Sequence, residues 1–275
     1  MPHNGLMFPA SAAAPALTAL TQNIRMASPS TAPGDPDHWE HRRHALAQLL
    51  TDCAADVVAT QEVLAQQIPV LHSVLGQTHL QLGFGREGGG RGEHNLLFLR
   101  RDRFEVLDWI QFWLSQQPLL MGSTGWDAAC PRIAVLATVR DRITDETLTL
   151  VNTHLDHVSE DARVQGARVI LEQIGEISET GPVVITGDFN AAAGSSKTWQ
   201  LFQQAGFQDC HDGAGEHLGE DIGTFPDYED PVVGADRIDW ILTRGVETDT
   251  YSAQAYRHDG AWASDHAAVA VTLRC

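Results

Sequence analysis

A carboxylate and a carboxamide stand two residues apart at the end of the stretch Gly181–Asn190. Residues 183–185 of this stretch are Val-Val-Ile, and such a short β-branched run indicates a strand that is buried on both faces. Asp188 and Asn190 would point the same way if the backbone stays extended beyond that strand. The pair could then bind a metal or activate a water molecule, although both residue types also favour turns. This stretch alone predicts either a catalytic strand end or an ordinary turn.

Further polar residues occupy the same kind of position, at predicted strand ends or in the loops beside them. They are Asn23, Glu62, His154, Asp265 and His266. In α/β proteins, binding sites form outside the ends of the strands. Each residue taken alone also has an ordinary explanation, since Glu62 could simply begin the next helix. Histidines, carboxylates and amides with no reactive Ser or Cys beside them favour metal-assisted hydrolysis over a covalent mechanism.

Strands and helices that alternate near the N-terminus would position the first of these residues. We predict a strand over 17–23, a helix from an Asp37 N-cap to Cys53, a strand over 56–60 and a helix over 64–75. Residues 79–114 then contain three strand-like runs without a helix, which predicts an antiparallel meander. A helix capped by Ser159 leads to the strand at 183–185. We expect a loose tail over 1–15 and one domain over 16–275.

Composition restricts the class of protein. The chain has 275 residues, 43% of them hydrophobic, which predicts a folded core. No apolar run approaches the roughly 20 residues that cross a bilayer, and no basic segment begins a secretory signal. The four cysteines are widely spaced, which fits reduced thiols better than disulfides or a zinc ribbon. We therefore expect a cytoplasmic protein without a membrane span.

The charge is strongly acidic, with 36 acidic residues against 18 basic ones and a formal net charge of −18. A protein that grips nucleic acid by its phosphates usually presents a basic surface. The charge therefore favours a small phosphorylated substrate over nucleic acid. A bound divalent metal would reverse the local field at the site.

Five short motifs resemble, in their order, those of the endonuclease/exonuclease/phosphatase superfamily. They are Gln61-Glu62, Asn152-Thr-His154-Leu-Asp156, Gly187-Asp-Phe-Asn190, Arg237-Ile-Asp239-Trp and Ser264-Asp-His266. Two further segments, Gly92–Arg100 and Phe112–Ser115, resemble a bacterial branch of that superfamily whose substrates are poorly defined. The resemblance implies an α/β fold, a four-layer sandwich of two mixed sheets packed face to face with helices outside. It also implies a Mg²⁺-dependent hydrolase of phosphoester bonds, with Mn²⁺ as an alternative metal.

The resemblance implies metal and water ligands among these residues. Glu62 would be the principal Mg²⁺ ligand, with Asn23 beside it, because this cation prefers oxygen ligands. Asp265 would approach the metal or the water. Asp188 would activate or orient the attacking water, and Asn190 would hold that water or a phosphate oxygen.

The resemblance also implies which side chains stabilise the phosphoryl oxygens. His266 paired with Asp239, and His154 paired with Glu93, would be cationic because a carboxylate partner raises the pKa of a histidine. Some DNA-repair members carry an aspartate where this chain has Arg25. Arg25 would contact a substrate phosphate or form a structural salt bridge.

Three alternatives to a small-molecule phosphoesterase stay open at this point. A nuclease of the same family would act on nucleic acid. An inactive binding module would have lost Glu62, Asp188 or His266, all of which are present. A zinc enzyme is suggested by residues 152–157, Asn-Thr-His-Leu-Asp-His, but zinc favours several nitrogen or sulfur ligands.

Overall fold

Two large β-sheets form the centre of the computed structural model, which describes residues 8–9, 14–177 and 181–275. The strands are β1 Leu17–Asn23, β2 Val57–Val63, β3 His79–Leu82, β4 His94–Arg100, β5 Phe104–Trp113, β6 Ile133–Asp141, β7 Thr147–His154, β8 Val183–Asp188, β9 Gln208–Asp209, β10 Glu216–Leu218, β11 Asp239–Arg244, β12 Glu247–Gln254, β13 Arg257–His258, β14 Ala261–Trp262 and β15 Ala268–Arg274. The helices are α1 Trp39–Cys53, α2 Ile68–Leu75, α3 Glu160–Ile177, α4 Lys197–Gln204 and α5 Cys210–Gly213.

Both large sheets mix parallel and antiparallel pairs. One has seven strands in the order β10-β12-β15-β1-β2-β4-β3, and the other has six in the order β5-β6-β7-β8-β11-β9. Parallel pairing joins β1 to β2 in the first sheet and β7 to β8 in the second. The remaining two strands, β13 and β14, form a small ribbon of their own.

Three apolar clusters hold the layers together. The first lies between the sheets and includes Ala19 of β1 and Val184 of β8. The second packs α1 and α2 on the outer face of the seven-stranded sheet. The third packs α3 and α4 on the six-stranded sheet and includes Val183 and Ile185. The predicted four-layer sandwich is therefore confirmed, and β8 is buried on both faces as expected.

The predicted meander over 79–114 is only partly correct. β3 and β4 pair antiparallel, but β5 leaves them and pairs with β6 in the other sheet. Arg103, in the turn between β4 and β5, lies 2.9 Å from an Asp56 oxygen and 2.7 Å from an Asp141 oxygen. A buried guanidinium can bind two carboxylates at once, so this side chain fixes the crossing between the sheets.

Helix starts show a further difference from expectation. Ser159 caps α3, since its hydroxyl accepts a hydrogen bond from the Ala162 N–H at 3.1 Å. Asp37 was predicted to cap α1, but His38 occupies the N-cap position and makes no side-chain cap. The Asp37 carboxylate instead accepts hydrogen bonds from Arg25 and Tyr228.

The predicted tail falls mostly on residues 1–7 and 10–13, which lie outside the described part of the chain. Among the described residues, no helix combines the length and apolar character that crossing a membrane requires.

Candidate active site

Strand register places three acid and histidine side chains in one row on the six-stranded sheet. His154 at the end of β7 pairs with Asp188 at the end of β8, and Asp188 pairs with Asp239 at the start of β11. Side chains of directly paired residues lie on the same face of a sheet. All three residues are buried, with 5% or less of their surface exposed. The sequence motifs that contain them therefore meet at one sheet edge.

The seven-stranded sheet supplies Asn23 and Glu62 to the same place. Asn23 ends β1, and Glu62 lies in β2 where the pairing with β4 shifts register between Thr60 and Val63. Glu62 has a left-handed backbone with φ of 61°, which is uncommon for a residue with a Cβ. Such a bulge re-aims a side chain out of the regular ladder. Its hydrogen bonds and the charge of His266 overcome the effect of burial and lower the pKa of Glu62.

Asn23 links the two sheets through its amide. Its Nδ2 donates to Glu62 Oε1 at 3.0 Å and to Asp188 Oδ2 at 2.9 Å. Its Oδ1 accepts the backbone N–H of Arg25 at 2.9 Å. A backbone N–H can only donate, so the oxygen of Asn23 must face away from the carboxylates. Asn23 thus donates to two carboxylates of the site, and its expected place beside the metal stays a prediction.

The end of β8 is both a turn and part of the site. Asp188 Oδ1 accepts the N–H of Asn190 at 2.9 Å, and Asn190 has φ of 48°. The backbone is therefore not extended at Asn190, so the condition under which Asp188 and Asn190 were predicted to point the same way is not met. Asn190 still lines the cleft, and its Nδ2 donates to the Leu155 carbonyl at 3.0 Å. An amide nitrogen carries two hydrogens, so one remains for a water or a phosphate oxygen.

Gly187 is required by the approach of β7. A Cβ added at this residue would lie 2.2 Å from the Thr153 carbonyl oxygen, and its φ is 157°. No side chain can be placed there unless β7 and β8 separate. The glycine of the Gly-Asp-Phe-Asn motif therefore allows β7 and β8 to pair closely, which places Asp188 beside His154.

The pair of His266 and Asp239 has the predicted geometry. His266 Nδ1 lies 2.9 Å from Asp239 Oδ2, and its Nε2 lies 3.9 Å from Asp188 Oδ2. Burial alone would lower the pKa of His266, but the surrounding carboxylates, led by Asp239, raise it to about 10. Burial and the charge of Asp239 together raise the pKa of Asp188. The site thus holds a cationic imidazole next to a carboxyl group that can gain and lose a proton.

His154 differs from the expectation. Its predicted partner Glu93 accepts a hydrogen bond from Arg86 at 2.8 Å, whereas His154 Nε2 lies 3.4 Å from Asp188 Oδ2. Burial and the charge of Arg132 hold the pKa of His154 well below its usual range. The predicted pairing with Glu93 is wrong, and the lowered pKa of His154 favours its neutral imidazole form.

Arg25 and Asp265 lie beside Glu62 but face each other. Arg25 binds Asp37 at 3.0 Å and lies 3.6 Å from Asp265 and 3.9 Å from Glu62. The hydrogen bond with Asp37 raises the pKa of the guanidinium above its usual value. The salt bridge that was one of two predictions for Arg25 is therefore present, on a side chain that also lines the cleft.

These side chains surround a cleft of about 410 Å³. It also contains residues to which sequence reasoning gave no role in phosphoester hydrolysis: Met26, Arg86, Cys130, Arg132, His157, Phe225 and Ile238. Arg132 begins a predicted strand over 132–139 but belongs to none of the five motifs, and Phe225 lies in a Gly- and Asp-rich segment. Only the closeness of Arg132 to the motif of β7, once the strand order is known, reveals it.

The donors in the cleft suit a hard cation. Ligand atoms of Glu62, His154 and Asp188 lie within 4.8 Å of one another. Carboxylate oxygens are the ligands that Mg²⁺ and Mn²⁺ prefer. The zinc alternative fits poorly, because the ring nitrogen Nδ1 of His157 lies 2.7 Å from an Arg132 nitrogen that can only donate. Its lone pair at Nδ1 is therefore already occupied.

The fold and this site define a class of enzyme. The chain belongs to the Endonuclease/Exonuclease/phosphatase family, whose sequence profile matches residues 20–266. Members of this family are metal-dependent phosphoester hydrolases, and the chain is an enzyme of that class. A search of curated protein sequences finds no match.

Solved structures show the same architecture. An endonuclease/exonuclease/phosphatase from Bacteroides vulgatus is 34% identical, with a TM-score of 0.86 over 94% of this chain and 98% of that chain. The mannosyl-6-phosphatase Bt3783 of Bacteroides thetaiotaomicron is 28% identical, with a TM-score of 0.85 over 94% and 100%. D. rerio TDP2, complexed with a single-strand DNA product, is similar in fold at 20% identity and a TM-score of 0.71 over 95% and 100%.

Proposed function

We propose that this protein is a Mg²⁺-dependent phosphatase or phosphodiesterase that acts on a small phosphorylated substrate. The observation that supports this most is the position of Asp188, which contacts Asn23 and faces the imidazoles of His154 and His266 in one cleft. A metal bound through Glu62, with Asp188 and Asp265 nearby, would neutralise charge on the phosphoryl oxygens.

The side chains divide the reaction between them. Asp188 orients the attacking water and takes one of its protons, because its raised pKa allows the carboxyl group to hold one. Cationic His266, the N–H of neutral His154 and the amide of Asn190 donate to the phosphoryl oxygens. The water oxygen bonds to phosphorus as the bond to the alcohol oxygen breaks on the opposite side, the departing oxygen takes a proton from solvent, and Asp188 returns its own proton to solvent.

The charge of the protein and of its cleft favours a small substrate over nucleic acid. The net charge of −18 would repel a polyanion over most of the surface. Every guanidinium that lines the cleft has a carboxylate partner, namely Asp37 for Arg25, Glu93 for Arg86 and Asp156 for Arg132. A mannosyl-6-phosphatase with the same fold over its whole length supports a sugar phosphate as the kind of substrate.

A panel of phosphoesters with Mg²⁺ and with Mn²⁺ tests this function. It contains sugar monophosphates, simple diesters and plasmid DNA, each assayed with wild type and with Asp188→Asn. We expect hydrolysis of small esters that Asp188→Asn reduces by at least about a hundredfold, as for loss of a general base. Efficient plasmid nicking that the same substitution abolishes would show a nuclease instead. Failure to cleave any ester with either metal would refute the enzyme's proposed substrate class.

We also propose that residues 16–275 act as one domain in the cytoplasm. Cys53, Cys130, Cys210 and Cys275 are all unpaired thiols, which supports a reducing compartment.

A further inference from the structure

An exposed aromatic ring lies at the mouth of the catalytic cleft. Phe225 is 48% exposed, although its ring centroid lies 4.8 Å from that of the buried His266. A large apolar side chain that is half exposed beside a reacting group is typical of a binding surface. The proposed reaction gives roles to the metal ligands and to the side chains that face the phosphate, but none to this ring.

The loop that carries Phe225 is fixed on both sides. The buried Thr224 hydroxyl oxygen accepts the N–H groups of Ile238 at 2.8 Å and Asp239 at 3.0 Å. The Thr224 carbonyl accepts the N–H of Ala267, and Asp227 N–H donates to the Asp265 carbonyl. Phe225 is thus tied to both segments that form the His266 pair. Its position is set before any ligand arrives, which reduces the entropy lost on binding.

A second cavity of about 420 Å³ adjoins the cleft at this ring. The two cavities share Phe225 and Ile238 in their walls. Beyond these two residues the wall combines small and apolar residues with three exposed carboxylates, those of Glu229, Asp230 and Asp236. Of these, Asp230 lies 3.5 Å from the guanidinium of Arg257. A molecule whose phosphate lies at His266 would therefore have its alcohol portion over Phe225 and its far end among carboxylates.

We propose that Phe225 and this second cavity form the subsite for the alcohol portion of the substrate, and that the subsite takes an uncharged polyhydroxylated alcohol such as a hexose. The apolar C–H face of such a ring packs on an aromatic face, while its hydroxyls donate to carboxylates. A second phosphate on the alcohol would meet like charge, which disfavours bisphosphates and nucleotide chains. This inference rests on the proposed hydrolysis of small phosphoesters.

The contribution of the ring is tested with two substrates of different size. Hexose 6-phosphate reaches the second cavity, whereas methyl phosphate fills only the metal and phosphate site. In Phe225→Ala we expect kcat/KM to fall at least about tenfold further for hexose 6-phosphate than for methyl phosphate, in line with loss of an aromatic contact. Phe225→Tyr keeps an aromatic face and should restore most of that difference. An equal loss on both substrates would overturn the subsite but leave the proposed function intact.

The role of the exposed carboxylates is tested by removing charge. Glu229→Gln with Asp236→Asn should improve kcat/KM for a hexose bisphosphate relative to the monophosphate several-fold, because repulsion of the second phosphate is reduced. Glu220→Gln removes one negative charge from a residue that lines neither cavity. It should leave the ratio of kcat/KM for the bisphosphate to that for the monophosphate unchanged. An unchanged ratio in the double variant would contradict selection by charge. Absence of turnover by wild type on every ester would instead refute the proposed function.

Discussion

His266 Nδ1 donates a hydrogen bond to Asp239 Oδ2 at 2.9 Å, and both residues are almost completely buried. The second oxygen of Asp239, Oδ1, is buried without a hydrogen-bond partner in the part of the chain that the structure describes. The imidazolium is therefore the main group that balances this carboxylate. Because Asp239 opens β11 opposite Asp188, the same strand pairing sets the position of the cation and of the carboxyl group that receives the proton.

Asp239→Asn should reduce kcat by about a hundredfold, because His266 would lose most of the field that keeps it cationic. The side chain keeps its size, so the fold should be retained. The titration of His266, followed by NMR, should move to lower pH in the variant. A kcat within threefold of wild type would contradict the role assigned to this pair.

Gly187→Ala should lower the free energy of unfolding by about 2–3 kcal/mol or more, because its Cβ would collide with the Thr153 carbonyl. Urea denaturation followed by circular dichroism measures this change. Gly175→Ala, in α3, is the matched control: nothing lies within 4 Å of the added Cβ, so it should stabilise by about 0.5–1 kcal/mol. Equal effects at both glycines would contradict the close approach of β7 and β8.

Arg42 of α1 should be a positioning residue for the site. It is fully buried, and its guanidinium donates to the carbonyls of Ile24 at 2.9 Å and Ala263 at 3.2 Å, which precede Arg25 and Ser264. Arg42→Met should destabilise the protein by about 3–5 kcal/mol in urea denaturation, because five carbonyl oxygens near this helix would lose a donor.

Arg43→Met is the control for Arg42. This neighbour forms a surface ion pair with Glu40, and such pairs contribute at most about 1 kcal/mol. Arg42→Lys keeps the charge but not the planar fork, and should lie between the two. A loss below 1 kcal/mol for Arg42→Met would show that these carbonyls are satisfied in another way.

His79 should make stability sensitive to acid. Burial lowers the pKa of His79 from its usual 6.5, and one ring nitrogen lies 3.0 Å from the Ala55 carbonyl. The unfolded chain therefore binds a proton at a higher pH than the folded protein does, so stability is complete above pH 6.5 and falls as the pH drops below it. His79→Gln should make this decline shallower, measured as the free energy of unfolding between pH 7.5 and 5.

The sequence was sufficient for features that depend on periodicity and on motif order. The β-branched run at 183–185 is buried on both faces because its alternate side chains meet the opposite sheet and the helices. His154 and Asp188 could be predicted to meet because each stands at a predicted strand end, and strand ends lie at the edges of sheets. Asp239 was expected at the site only through the family resemblance, and its pairing with Asp188 is a result of the structure. The division into a loose tail over 1–15 and one domain over 16–275 stays a prediction.

Contacts that depend on strand partners and side-chain direction were beyond the sequence. β5 joins the second sheet because of a crossing at Arg103, and periodicity carries no information about the partner strand. Asn23 turns its oxygen away because one backbone N–H, that of Arg25, lies within reach. Glu93 accepts a hydrogen bond from the guanidinium of Arg86, whereas the imidazole of His154 was the expected partner.

Binding of Mn²⁺ measured by isothermal titration calorimetry tests the central claim, a metal centre built on Glu62, most directly. Wild type should bind Mn²⁺ saturably, and Glu62→Gln should weaken binding at least about tenfold, as expected for loss of a charged oxygen ligand. Glu40→Gln, on the surface of α1, should bind as wild type does. Unchanged Mn²⁺ binding by Glu62→Gln, or stoichiometric zinc lost on substitution of His157, would contradict the account.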